Sequence, residues 1–293
     1  ERFEGRESSP VEILVQGSDA AIERYVDDLA AVEDIVRVNI VPSDADTDWT
    51  RIVAISDVEP RSPAGYAQTV EIRALDSDLD QVLVGGSAGF YTDSQQGIEG
   101  ALPIAALWIF ISTMILLFLF TGSVILPIKA ILLNVLSLGA TLGLVSWVFQ
   151  NGHLQWLVGE YSVTGTIDTS SVVMIGVVAF GLSMDYELFL LSRIKEQHDA
   201  GVNTVNSVAY GLQRSGRIIT AAAFILAVTF GAFASSGVSI MKMLGVGIAV
   251  AILLDATVVR ALLVPALMRL FGSLNWWAPR WMKRLYEKAG LSH

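Results

Sequence analysis

The chain has 293 residues, 53% of them hydrophobic and 16% charged, with a formal net charge of −10 and a mean hydropathy of +0.56. Soluble domains carry roughly 25% charged residues, so this balance points to a membrane protein. There is no cysteine, and His153, His198 and His293 are far apart in sequence; disulfides and thiolate metal sites are excluded, and no metal cluster is expected.

Charge is unevenly spread. Residues 1–100 hold 7 Arg, no Lys and 21 Asp/Glu, whereas the remainder holds 12 Lys/Arg and 8 Asp/Glu. The two parts are expected to meet different environments, and the acidic surface disfavours nucleic acid as a partner. The chain opens on Glu1 with no signal peptide, as expected for a piece of a longer protein.

Residues 1–100 read as a small α+β domain. Val11–Val15 predicts a strand. Ser18–Leu29 predicts a helix with Ala21, Ile22, Tyr25, Val26 and Leu29 on one side. Ile35–Val41, ended by Pro42, and Trp49–Ile55 predict two more strands. Ser62-Pro63 opens a helix to about Leu75, since Pro fits a first helical turn. Gln81–Val84 predicts a fourth strand, closed by Gly85-Gly86. The order β-α-β-β-α-β is that of a ferredoxin-like, split βαβ unit. The run GGSAGF at 85–90 lacks the Lys and the spacing of a phosphate loop.

From Ala101 the sequence turns apolar. Five spans are predicted, at about 101–121, 124–149, 170–192, 218–236 and 241–270, each near or above the ~20 residues a bilayer requires. Residues 101–273 thus form a transmembrane bundle, and 274–293 a basic cytoplasmic tail. Lys129, the Arg193–Arg217 connection and the tail are basic; the 150–169 loop has Glu160 and Asp168 but no Lys or Arg. This places the N-terminal domain outside and the tail inside, with Lys242 as the exception. Trp276, Trp277 and Trp281 fit an interfacial belt at the inner face. Within 193–217, Val202, Val205, Val208, Ala209 and Leu212 recur at helical spacing, which predicts a helix lying on the inner membrane surface.

Asp185 lies in the third span, roughly 12 Å of helix inside Arg193. An ionised carboxylate at that depth costs at least ~2.5 kcal/mol unless it faces a bundle interior or a wet cavity, and proton relays are a common reason for such a placement. Tyr186 points about 100° away on the helix, so the two must face different neighbours. Gly181 is one turn above Asp185 and leaves room for water or a close helix. The competing reading is a permanent salt bridge, but no base is expected mid-span. Asp255 is a second buried acid, read either as half of a structural pair or as a supporting acid in transport; Arg260, five residues on, is poorly aligned with it on an α-helix, and a base near the inner end of another span, such as Arg217, is the alternative partner. Glu187 is expected to be solvated or paired near the inner surface. Gly139 and Gly143 form a close-packing motif, and Gly176, Gly181, Gly245 and Gly247 suggest further tight contacts.

FGLSMDYELFLLSRI at 180–194 strongly resembles the signature of the MMPL family, transporters of the resistance–nodulation–division superfamily. The segments at 122–143, 217–234 and 244–279 agree with it. The resemblance implies two homologous halves of six spans, each with an extracytoplasmic porter domain; this chain is similar to the second half without its first span. It further implies that Asp185 and Tyr186 form one arm of a proton relay whose other Asp-Tyr pair lies in the other half. Ser170-Ser171 stands where the family often has a proline. The implied protein is a non-enzymatic, cofactor-free proton antiporter of a bacterial plasma membrane. Its implied cargo is lipid or another hydrophobic compound, its partner the missing N-terminal half or a separate subunit, and its state monomeric or homo-oligomeric. Drug efflux, a membrane sensor or scaffold, and a protein-translocation helper are the alternatives.

Overall fold

A computed structural model describes residues 8–41, 48–161, 163, 167 and 169–288. Pro42, Asp168 and His293, used above, lie outside the described residues. The chain divides into two compact units, Glu1–Leu102 and Pro103–His293.

The first unit runs β1 (Val11–Gln16), α1 (Asp19–Ala30), β2 (Ile35–Val41), β3 (Thr50–Ser56), α2 (Pro63–Arg73) and β4 (Gln81–Gly85). The strands form one sheet in the order β2-β3-β1-β4, and every neighbouring pair is antiparallel. Alternation along β1 turns Val11, Ile13 and Val15 inward. They pack with Ile52 and Ala54 of β3 against Ile22, Tyr25 and Leu29 of α1 and Ile72 of α2. Ser62 caps α2 by accepting the Gly65 amide at 3.1 Å, with Pro63 in the first turn. Gly65 admits no side chain, because a Cβ there would lie 2.5 Å from the Glu59 carbonyl. The Tyr25 hydroxyl is buried and has no partner among the described residues; burial pushes its pKa up to about 12.

The structure moves the first apolar helix. α3 (Gly86–Thr121) begins at once after β4, fifteen residues before the predicted span at Ala101. Gly86, at φ +80, makes the turn that ends the strand. Arg73 ties α3 to α2 through Asp93 at 2.6 Å.

The second unit continues with α4 (Ile125–Val145), the four-residue α5 (Gln155–Val158), α6 (Thr169–Asp199), α7 (Thr204–Gly231), α8 (Ser239–Leu254), α9 (Val264–Phe271) and α10 (Arg280–Lys288). Wide π-helical turns extend α4 over Ser146–Gln150 and join α8 to α9 over Asp255–Leu263. Among the described residues, five helical stretches are long and apolar enough to cross a membrane: Gly86–Thr121, Ile125–Gln150, Thr169–Asp199, Thr204–Ser235 and Ser239–Trp276.

α4, α6, α7 and α8 pack on one another. Three glycines set the closest approaches. A Cβ at Gly211 would lie 2.5 Å from Ile194, at Gly245 2.5 Å from the Phe230 carbonyl, and at Gly247 2.8 Å from Ile175. α3 is much less covered within this unit: Leu117 is buried, while Ile104, Trp108 and Leu116 are more than 60% exposed.

The separate surface helix expected within 193–217 does not form. α6 runs on to Asp199, and α7 starts at Thr204, where Asn203 accepts the Asn206 amide at 2.9 Å. From there α7 is one uninterrupted helix. Of the residues read as membrane-facing, Val208 is buried while Val205 and Ala209 are exposed, and the neighbouring Gly211 meets α6 at Ile194. Lys242 is also accounted for. It is buried and donates to the Val158 and Glu160 carbonyls at 3.3 and 2.9 Å, so its charge is held by carbonyls at the end of α5.

Candidate functional site

α6 has two contrasting faces. One buries Ile175, Ala179, Ser183, Glu187, Leu190 and Ile194. The other exposes Met174, Val177, Gly181, Asp185 and Phe189 at intervals of three and four residues. Asp185 therefore stands outside the packed bundle of this chain, on an otherwise apolar stripe. Tyr186, a helical step of about 100° away, turns inward and is half-buried.

What Tyr186 meets is a buried charged cluster. The Arg260 guanidinium lies 5.0 Å from the centre of the Tyr186 ring, a cation–π contact. Arg260 forms a salt bridge with Asp255 and donates to the Ser183 carbonyl at 2.6 Å. The Ser183 hydroxyl donates to the other Asp255 oxygen at 2.7 Å. These residues line a cavity of about 10 Å³, room for roughly one water. The Arg260 Nε is buried without a partner among the described residues.

This cluster corrects two expectations. No base was expected in the middle of a span, yet Arg260 of the last span is buried in the bundle and only 4% exposed. It also pairs with Asp255 despite the five-residue spacing. An α-helix would set the two on different faces, but the π-helical turn over Asp255–Leu263 makes i→i+5 the repeat and brings them together. Among the described residues, Arg217 forms no salt bridge with Asp255.

Of the two expectations for Glu187, solvation fails, because the residue is buried, and the neighbourhood of a cation remains. Glu187 shares a cavity of about 10 Å³ with Lys129, Leu126, Leu133, Val264 and Met268, within the electrostatic reach of Arg260 and Asp255 as well as Lys129. Lys129 in turn hydrogen-bonds the Asn275 side-chain carbonyl and lies 5.5 Å from the Phe271 ring centre. Asn275 is fixed by donating to Met268 and Gly272 carbonyls at 2.7 and 2.6 Å. Two carboxylates and two cations are thus buried between α4, α6 and the last span. Ser183 carries no signal in the sequence, and the five-residue spacing argued against Arg260 because it was measured on an α-helix.

The glycines divide. Gly245 and Gly247 make the tight contacts expected of them. Gly139, Gly143, Gly176 and Gly181 do not within this chain, since a Cβ at each would have nothing within 4 Å. Among the described residues there is no group of three His, Asp or Glu placed to hold a metal.

Comparison with known proteins gives a consistent result. The model of the MMPL family matches residues 15–290. A putative membrane protein of Streptomyces coelicolor is 44% identical over 78% of this chain and 32% of its own length. The trehalose monomycolate exporter MmpL3 of Mycolicibacterium smegmatis is 45% identical over 75% of this chain and 22% of its own. The mycolic acid-containing lipids exporter MmpL11 of the same species is 33% identical over 92% of this chain and 28% of its own. The chain spans about a third or less of the length of these relatives.

Proposed function

The chain belongs to the MMPL family, and on that premise we propose that it is part of a multi-pass membrane exporter of lipids or other hydrophobic compounds, driven by the proton-motive force. Two relatives are named as exporters of trehalose monomycolate and of mycolic acid-containing lipids, which supports lipid as the cargo class. The observation that carries the drive is the placement of Asp185. It is exposed on an apolar helix face, a costly position in hydrocarbon unless a further protein surface or a wet path covers it. The adjacent Tyr186 leans on the buried Arg260–Asp255 pair.

In this reading Asp185 takes up and releases the driving proton. Tyr186 couples its charge state to the buried cluster, with Asp255 in support, and the stripe through Gly181 faces the other half of the transporter. Gly139 and Gly143, open to close approach, offer a second contact for that half. Residues 1–100 form an extracytoplasmic, ferredoxin-like porter domain. The strand order β2-β3-β1-β4 with antiparallel pairing fits that topology, and the acidic composition fits the location. Residues 101–273 are the bundle and 274–293 a cytoplasmic tail in the plasma membrane.

The test is Asp185→Asn in the full-length protein, reconstituted in vesicles with an imposed pH gradient and a lipid cargo. Export is expected to fall to background while the variant still folds and inserts, because Asp185 is exposed and outside the packed core of this chain. Undiminished, gradient-dependent export by the variant would remove Asp185 from the relay.

A further inference from the structure

α10 reads RWMKRLYEK. At 100° per residue, Trp281, Met282 and Tyr286 share one arc, and Arg280, Lys283, Arg284, Glu287 and Lys288 share the other. Four cations thus stand beside one acid. All four are exposed, and none has an ion-pair partner among the described residues. Trp281 is 63% exposed and Trp277 49%.

The helix is held at a defined level. The Tyr286 ring meets Phe118 edge-on, with centroids 6.0 Å apart, and a Cβ at Gly122 would touch the same ring at 3.2 Å. Phe118 is in the last turn of α3, and Gly122 lies just past its end. The approach to α10 is fastened as well: the Ser123 hydroxyl donates to the Asn275 carbonyl at 2.5 Å, the Val124 amide donates to the Trp277 carbonyl at 3.0 Å, and Trp276 stacks on His198 at 4.0 Å. The amphipathic helix therefore sits where α3 leaves the hydrocarbon. A helix with Trp on one arc and unpaired cations on the other, at that level, matches the headgroup layer of a bilayer in both polarity and charge.

We propose that α10 is a binding site for anionic phospholipid. Its Arg280, Lys283, Arg284 and Lys288 engage phosphodiester headgroups of the leaflet at the Thr121 end of α3, and Trp281 enters the boundary beneath them. This rests on α3 being a membrane span, and not on the proton relay.

The experiment uses the full-length protein and the variant Lys283→Gln/Arg284→Gln/Lys288→Gln. Both are placed in nanodiscs of phosphatidylglycerol and phosphatidylethanolamine, and then extracted mildly for mass spectrometry of the retained lipid. The variant is expected to keep its melting temperature and to lose its preference for phosphatidylglycerol by about tenfold or more, since each surface cation adds to the attraction. In parallel, the fluorescence difference between wild type and Trp281→Phe is followed with brominated lipid, which should quench the Trp281 contribution. Equal phosphatidylglycerol retention by variant and wild type would overturn the proposal, and so would an unquenched Trp281, the result expected if the basic arc serves an acidic soluble protein instead. Asp185→Asn should leave lipid retention unchanged, so failure here and failure of the export reading are separate results.

Discussion

Replacing Arg260 by Met leaves Asp255 buried without its counter-charge, and replacing Asp255 by Asn does the converse. Either change is expected to cost about 3–5 kcal/mol of stability, read as thermal melting in detergent. The joint change Asp255→Leu with Arg260→Met should recover most of that loss, because a well-packed apolar pair replaces a buried ionic one at little cost. A joint variant as unstable as either single one would contradict this. In the first unit, Tyr25 carries a buried hydroxyl with no partner among the described residues. Tyr25→Phe should therefore stabilise that unit by about 1 kcal/mol, measured by pulse proteolysis of the whole chain. With Tyr25 raised to about 12 in the fold, the unfolded chain loses this proton first as pH climbs past about 10. Stability should fall between about pH 10 and 12 by up to ~1.4 kcal/mol per unit, and the Phe variant should lack that part of the slope. At this scale the sequence made acids visible and partners invisible. Asp185, Asp255 and Glu187 are conspicuous in apolar text, but Arg260 becomes the partner of Asp255 only through a widened turn that no periodicity announces.

Helices in this chain are legible where one face alone is buried. Ala21, Ile22, Tyr25 and Leu29 of α1 are buried at the expected positions, and the strand boundaries fall within a residue or two of those read from alternation. Reading fails where an amphipathic stretch has two available apolar surroundings. The Val202–Leu212 pattern suits a membrane surface and a neighbouring helix equally, and the choice was made by Gly211, whose bare backbone admits Ile194. Close packing of that kind is also vulnerable. Gly247→Leu, which inserts a side chain between Ile175 and Val145, is expected to destabilise the bundle by about 1–3 kcal/mol. The same substitution at Gly181, where a Cβ meets nothing, should leave the melting of this chain unchanged. Comparable losses at the two sites would argue against the contacts described.

For the molecule as a whole, composition was the most transparent signal. An acidic first hundred residues and an apolar, mildly basic remainder correspond to a sheet unit and a helical unit. The uncovered length of α3 and the open face of α6 were not legible, because an apolar helix reads alike whether lipid or protein lies against it. The absence of cysteine makes the orientation directly testable. Single cysteines at Ser77 and Lys288, introduced into a cysteine-free version of the full-length protein, should react with an impermeant maleimide from opposite sides of the membrane. Labelling of both from one side would refute the proposed topology.

The widened turn at Asp255–Leu263 also bears on chain length. A helix that holds a surplus residue per turn can surrender one. Removing Thr257 would let the segment tighten toward an ordinary α-helix and turn Val264–Phe271 by less than the about 100° through which a deletion elsewhere in a span rotates everything beyond it. Asp255 and its arginine would then stand four residues apart, still within reach on one α-helical face. The last span is thus the place where this protein should tolerate a change of length, and the buried ion pair is what marks it.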